Sequence, residues 1–320
     1  MKTPPAFADI ARAHERIRRH VHHTPLMTSR LIDSISGGRI FFKAENLQRT
    51  GSFKARGAFN AVLSLSDAAA AAGVVTHSSG NHAAALACAA RERGIAAHIV
   101  MPTSAPAVKK AAVAAYGGRI IECAPTLAAR EDAAALVVAQ TGATLVPPFD
   151  DPAVMAGQAS AAIELIGDAG PPLDLILCPL GGGGLLGGTA IAAAAIRPAI
   201  GVIGCEPAAA DDAAVGFRTG QLQPQRLPVT TMADGLTTAM SPMTFAVMRA
   251  HVADVVTVSE AAILEAMRLV WMRMKILIEP SSAVPVAALL SGAVDGRGRT
   301  VGVILSGGNA DLDRLPWAAS

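Results

Sequence analysis

At 320 residues, 52% of them apolar and 16% charged, the chain has enough apolar mass for one large core or for two lobes around a cleft, the scale of a small-molecule enzyme. Its 27 basic and 25 acidic residues nearly cancel and no run of either sign stands out, so no nucleic-acid partner is expected. Four widely spaced cysteines, Cys88, Cys123, Cys178 and Cys205, argue against a disulfide framework or a Cys-x-x-Cys zinc site, and a reducing cytoplasm is the expected compartment.

The N-terminus lacks the basic-then-apolar order of a signal peptide. Arg39 leads an apolar run at residues 40–42 into Lys43, Ala44, Glu45 and Asn46, which predicts a strand running out into a polar loop. Thr50, Gly51 and Ser52 then supply a turn and a helix N-cap, and Lys54 stands at the start of the helix. A lysine there is ordinarily a solvated surface group. Delivered to a sheet edge and into a cleft, it loses its proton by desolvation or a nearby charge and becomes a Schiff-base nucleophile. Ser66 and Asp67, followed by an alanine run, are the candidate crossing between lobes; no Ser/Pro linker or internal repeat marks another. Further strands are predicted at 74–76, 97–100, 119–122, 144–146, 173–178, 202–205, 255–258 and 301–305, with helices at 81–93, 107–116, 127–141 and 153–166. This alternation implies βα units on a mostly parallel sheet, so the fold class is α/β. Residues 175–196 carry no charge, but Pro179 and the glycines after it would break a spanning helix; the stretch reads as buried strand, loop and helix, and no membrane association is expected.

Polar or glycine-rich loops stand at several predicted strand ends. Ser78, Ser79, Gly80, Asn81 and His82 open a helix where backbone and short side chains face a ligand, although an ordinary N-cap explains the same letters. Gly181, Gly182, Gly183 and Gly184 again join strand to helix, and their bare amides can approach a phosphate; a plain turn seldom needs four residues so costly to order. Leu185 and Leu186 stand where a Walker loop needs Lys and Ser/Thr. Ser306, at the end of the last strand, either hydrogen-bonds a ring nitrogen or forms a turn. Glu206, Asp211 and Asp212 offer hard oxygen ligands to Mg²⁺ or Ca²⁺, unless Asp211 and Asp212 simply cap the helix after Ala210.

In this order, the segments Lys43-Ala44-Glu45-Asn46-Leu47-Gln48, Thr50-Gly51-Ser52-Phe53-Lys54, the 78–82 loop, Pro152-Ala153-Val154-Met155-Ala156-Gly157-Gln158, the tetraglycine, Ala233-Asp234-Gly235, Ile278-Glu279-Pro280 and Ser306-Gly307-Gly308-Asn309 resemble the fold-type II pyridoxal-phosphate enzymes. The similarity spans nearly the whole chain and is greatest to the serine/threonine dehydratase and serine racemase branch. It implies a tryptophan synthase β-like α/β architecture of two open, mostly parallel sheets with flanking helices. Residues 1–66 and 151–320 would form a large cofactor-binding domain, and 67–150 a small mobile one. By the same resemblance Lys54 holds pyridoxal 5'-phosphate as a Schiff base and removes the α-proton, Phe53 packs by the ring, and Asn81 contacts the phenolic oxygen. The tetraglycine binds the phosphate, Glu279 belongs to the cofactor site, and Ser306 faces the pyridine nitrogen. A hydroxyl there does not hold the ring protonated as a carboxylate would, which lets elimination compete with transamination.

Implied substrate contacts are Ser78, Ser79, Gly80, Asn81, His82, Arg130, Gly235 and Thr238, with Ser79 opposite Lys54 and able to return a proton in a racemisation. Glu206, the Ala210 carbonyl and Asp212 match a divalent-cation site, with Mg²⁺ as the expected metal. Two departures from the family pattern stand out: Ala83 where glycine is usual after the histidine, and Ala159-Ser160 where Gly-Thr is usual. The implied activity is a threonine/serine ammonia-lyase giving a 2-oxo acid and ammonia. Serine racemase and threo-3-hydroxyaspartate dehydratase are the alternatives within the branch, and a catalytically silent cofactor-binding protein is the alternative outside it. A homodimer acting on a small amino-acid substrate is expected.

Overall fold

The computed structural model describes residues 2–317. Ten strands form among the described residues: β1 (Leu26–Met27), β2 (Arg39–Ala44), β3 (Val74–His77), β4 (Ala97–Pro102), β5 (Arg119–Cys123), β6 (Thr144–Leu145), β7 (Leu175–Pro179), β8 (Gly201–Pro207), β9 (Asp254–Val258) and β10 (Thr300–Leu305). They make a six-stranded sheet, β1-β2-β10-β7-β8-β9, and a four-stranded one, β5-β4-β3-β6. Only the β1–β2 pairing is antiparallel. The fold is therefore the expected α/β arrangement of two mostly parallel sheets with flanking helices. The smaller sheet comes entirely from the middle of the chain, and the larger from the segments on either side of it.

β7 is buried throughout, and so is β10 after Thr300, which is why both read as near-continuous apolar runs rather than alternating ones. Successive residues of a strand point to opposite faces. Phe42 accordingly packs with Leu177, Met267 and Val284 under the helices Glu260–Met274 and Pro280–Leu290, while Phe41 packs with Ile176, Leu165 and Leu186 under Pro152–Asp168 and Gly184–Ile196. A separate core joins Phe59 and Val62 of the helix Lys54–Ser64 to Leu86 and Ile99 of the smaller unit.

The charge-free stretch at 175–196 is indeed strand, loop and helix, and no described helix is long and apolar enough to cross a membrane. Several boundaries shift. The helix expected at 153–166 spans Pro152–Asp168, because Asp151 caps it by accepting the Ala153 and Val154 amides and Pro152 takes the first position, where its missing N–H costs nothing. Ser66 caps the helix Asp67–Ala71, accepting the Ala69 amide at 3.3 Å. β1 was not expected at all.

Candidate active site

β2 and β10 run parallel and in register up to Ala44 and Leu305, so the chain leaves both strands at one edge of the larger sheet. There Ser52 bridges Gly307, and the Phe53 amide donates to the Ser306 carbonyl at 3.0 Å, which ties the start of the Lys54–Ser64 helix to the end of β10. The Lys54 ammonium donates to the Pro148 carbonyl at 2.7 Å and lies 4.9 Å from the centre of the Phe53 ring. Burial lowers its pKa to about 8 against the opposing pull of the Glu279 carboxylate. Neutral amine is therefore accessible near ordinary pH, as a nucleophile or base requires.

The tetraglycine follows β7. A Cβ would fall 3.0 Å from the Leu236 Cα at Gly181, 2.5 Å from the Phe149 ring at Gly182, 2.4 Å from the Met240 methyl at Gly183 and 2.7 Å from Gln158 Oε1 at Gly184. Packing thus crowds all four positions, most rigidly Gly182 against the Phe149 ring, a cause the sequence did not suggest. Gly183, at φ 85°, caps the helix Gly184–Ile196 with no side-chain hydrogen bond, so the first amides of that helix remain available to an anion. Gly183→Ala would meet both the clash and the left-handed backbone; we expect it to destabilise the fold by about 1–3 kcal/mol and to weaken cofactor phosphate binding, read by thermal melts and cofactor titration.

The Asn81 amide nitrogen donates to both Glu279 oxygens at 2.9 and 3.1 Å, and its oxygen accepts from Asn309 at 2.9 Å. Desolvation raises the Glu279 pKa to about 7, opposed by the Asn81 hydrogen bond. Ser306 is buried at the end of β10. Ser78 and Ser79 occupy the bend before the helix Asn81–Arg93, with Ser78 Oγ accepting the Gly80 amide at 3.4 Å. His82 is buried, and its Nε2 is committed to the Val146 carbonyl at 2.9 Å; burial lowers its pKa to about 3, so the ring is neutral.

Ser52 Oγ and Gln158 Oε1 are buried without partners, the latter beside Gly184. The free donors are the uncapped amides at the start of the helix Gly184–Ile196, which a phosphate can accept from, and with the desolvated Lys54 amine they make a site that fits pyridoxal phosphate. Sequence reasoning missed Pro148 and Phe149. One acts through its carbonyl and the other through packing on Gly182, and neither leaves a signal beyond an aromatic after two prolines.

Other expected residues lie apart from Lys54 in contact terms. Arg130 bonds within its own helix, to the Thr126 carbonyl, and its charge helps to lower the pKa of His77, whose main perturbation is burial. The Gly235 amide donates to Ser281 Oγ at 3.0 Å, and Thr238 is exposed. Near the end of β8, Glu206 accepts the Ala213 and Ala214 amides at 3.2 and 2.9 Å. The cap of the helix Asp212–Thr219 is thus Glu206, which corrects the alternative that gave this role to Asp211 and Asp212; the Asp211 carboxylate pairs with Arg226 at 2.6 Å. Desolvation raises Glu206 to about 8 and Asp212 to about 6. No group of three His, Cys, Asp or Glu side chains is placed to hold a metal among the described residues.

Residues 17–307 match the family described as pyridoxal-phosphate dependent enzyme. The chain is 46% identical to the beta-hydroxyaspartate dehydratase of Paracoccus denitrificans, over 98% of this chain and 99% of that protein. It is 46% identical to the serine racemase of Arabidopsis thaliana, over 96% and 93% of the two chains. Among solved structures, the serine racemase of Dictyostelium discoideum superposes with a TM-score of 0.92 at 43% identity, covering 96% of this chain and 99% of that one.

Proposed function

Because the chain belongs to the family of pyridoxal-phosphate dependent enzymes, we propose that it eliminates water from a hydroxy amino acid, with 3-hydroxyaspartate as substrate and a 2-oxo acid and ammonia as products. Threonine/serine ammonia-lyase, the activity that the motifs suggested first, shares this chemistry, but the sequence relatives quoted above favour the dicarboxylic substrate or serine racemisation over threonine. The observation that carries the reading is the Lys54 amine, desolvated and held on the Pro148 carbonyl, close enough to Glu279 to feel its charge.

When bound, pyridoxal phosphate supplies the electron sink for charge on the substrate α-carbon. The helix start at Gly181, Gly182, Gly183 and Gly184 would hold its phosphate, Ser306 its ring nitrogen and Asn81 its phenolic oxygen. Phe53 and Glu279 would complete the wall. Glu279 and Asn309 fix both ends of the Asn81 amide. Lys54, once its amine is free and neutral, takes the α-proton; the electron pair left behind expels the β-hydroxyl, which leaves as water with the proton of the Lys54 ammonium, and water then hydrolyses the released enamine to the 2-oxo acid and ammonia. Ser78, Gly80 and the first helical amides hold the α-carboxylate. Residues 67–150 act in this scheme as a small domain that closes on 1–66 and 151–320.

The test is to incubate the holoenzyme with threo-3-hydroxyaspartate, L-serine, D-serine and L-threonine, following oxo acid and enantiomer together. Absence of oxo acid from 3-hydroxyaspartate would overturn the proposal. In the apoprotein the Lys54 amine sheds its proton near pH 8, so its capture of pyridoxal phosphate, read by absorbance, should quicken as pH rises through that value. Serine racemisation is the second reading. It rests on Ser79, whose hydroxyl sits in the bend before Asn81, and predicts that Ser79→Ala keeps elimination while losing enantiomer exchange.

Mg²⁺ is proposed at Glu206, the Ala210 carbonyl and Asp212, because two buried carboxylates stand there without a basic partner of their own. At a hundredfold excess over Kd, the cation should stabilise the protein by about 2.7 kcal/mol, an increment that a chelator and Glu206→Gln each remove in thermal melts.

A further inference from the structure

One ion pair links the unit of the smaller sheet to the turn beside the tetraglycine. Lys109, in the first turn of the helix Ala107–Ala115, reaches the Asp234 carboxylate at 2.6 Å, although the two are 125 residues apart in sequence. Lys109 belongs to the unit built on the four-stranded sheet. Asp234 begins the turn Asp234–Leu236, which lies directly on the tetraglycine: a Cβ on Gly181 would touch the Leu236 Cα at 3.0 Å. The other ion pairs of residues 67–150 reach the N-terminal segment at Lys2, His20 and Arg49 or stay within the unit at Asp67 and Lys110. Asn81, which bonds Glu279 and Asn309, and the Pro148 carbonyl, which accepts from Lys54 and Gln158, tie the same unit to the rest of the chain.

Lys109 is also near the chemistry. The buried Glu279 carboxylate feels Asp234 and Lys109 with opposite signs, and the same carboxylate acts on Lys54. Glu279 thus stands within electrostatic range of both lysines. Lys109 is only one-third exposed, whereas Asp234 is 62% exposed, so the carboxylate can swing away into solvent while the ammonium stays in place.

We propose that Lys109 is a specificity-determining residue that binds the second carboxylate of an acidic amino-acid substrate, with Asp234 occupying its ammonium until that substrate arrives. This rests on the reading of the chain as a hydroxy amino acid lyase. A substrate carboxylate of the right length replaces the Asp234 carboxylate on Lys109, and the exchange keeps the ammonium paired. An uncharged side chain leaves the original pair intact and gains nothing from Lys109. Arg130 is the competing cation. It lies on a different helix, Leu127–Thr141, and bonds back to Thr126 of its own N-cap.

The experiment uses two amino acids that lack a leaving hydroxyl, L-aspartate and L-alanine, titrated into the holoenzyme and followed by the change in cofactor absorbance. Lys109→Met should weaken L-aspartate binding by about tenfold and leave L-alanine within about twofold. Asp234→Asn, which removes the competing carboxylate, should tighten L-aspartate by about threefold without moving L-alanine. Equal losses for both ligands in Lys109→Met, weaker L-aspartate binding in Asp234→Asn, or a selective loss in Arg130→Met but not in Lys109→Met would each overturn the assignment. Turnover is scored separately: an enzyme that produces no oxo acid from 3-hydroxyaspartate or serine refutes the lyase reading, whatever the two titrations show.

Discussion

Replacing Lys54 with alanine is expected to reduce oxo-acid formation by at least about a thousandfold, the upper part of the range for losing a positioned acid–base group, because anchor and base disappear together. The purified variant should also lack the absorbance band of a lysine-bound pyridoxal cofactor. Turnover within tenfold of the parent would remove Lys54 from the mechanism. Stability should behave differently. With the folded pKa near 8 and the unfolded value at 10.5, the unfolded chain binds more protons between those limits. The parent apoprotein therefore gains stability as pH rises from about 8 towards 10.5, and Lys54→Ala loses that gain without losing the fold.

The largest structural penalty is expected at Arg56, on the same helix as Lys54. Its side chain is fully buried and donates to Glu45 at 2.7 and 2.8 Å, to Glu164 at 2.6 and 2.7 Å and to Ser160 at 3.1 Å. Buried Lys43 pairs with Glu164 at 2.6 Å and donates to the Thr24 carbonyl at 2.7 Å. Burial works against the Arg56 charge, but the two carboxylates outweigh it and raise its proton affinity. Arg56→Met leaves two buried glutamates facing one lysine, and uncompensated buried charge of this kind costs about 3–5 kcal/mol. Denaturant unfolding checks this through the midpoint at constant m-value; a loss below about 1 kcal/mol would show that water or a neighbour takes over.

Local signals in the sequence reported local structure well. The helices Asn81–Arg93 and Leu127–Thr141 begin and end where expected, the latter because Thr126 caps it and Gly142 stops it in the left-handed region. β1 escaped notice because two residues carry no periodicity; it exists only through its pairing with Lys43 and Phe42. The signal for the Pro152 helix start, Asp before Pro, was present but unused. The tetraglycine was singled out for its bare amides, whereas its tightest requirement is contact with Phe149, Met240 and Gln158. Glu206 capping a helix seven residues downstream, Arg56 meeting Glu164 and Lys109 meeting Asp234 depend on how separate elements pack, which no window of sequence reports.

The position of β10 has a consequence for how the protein is made. It lies between β2 and β7, so until residues 300–305 have left the ribosome the first and second blocks of the larger sheet share no partner strand. The turn holding Lys54 is fastened to Ser306 and Gly307, which emerge later still. The middle unit can complete its own sheet early, but Lys54 and Ser306 meet only when synthesis is nearly finished. Nascent chains stalled before residue 300 should therefore bind no pyridoxal phosphate.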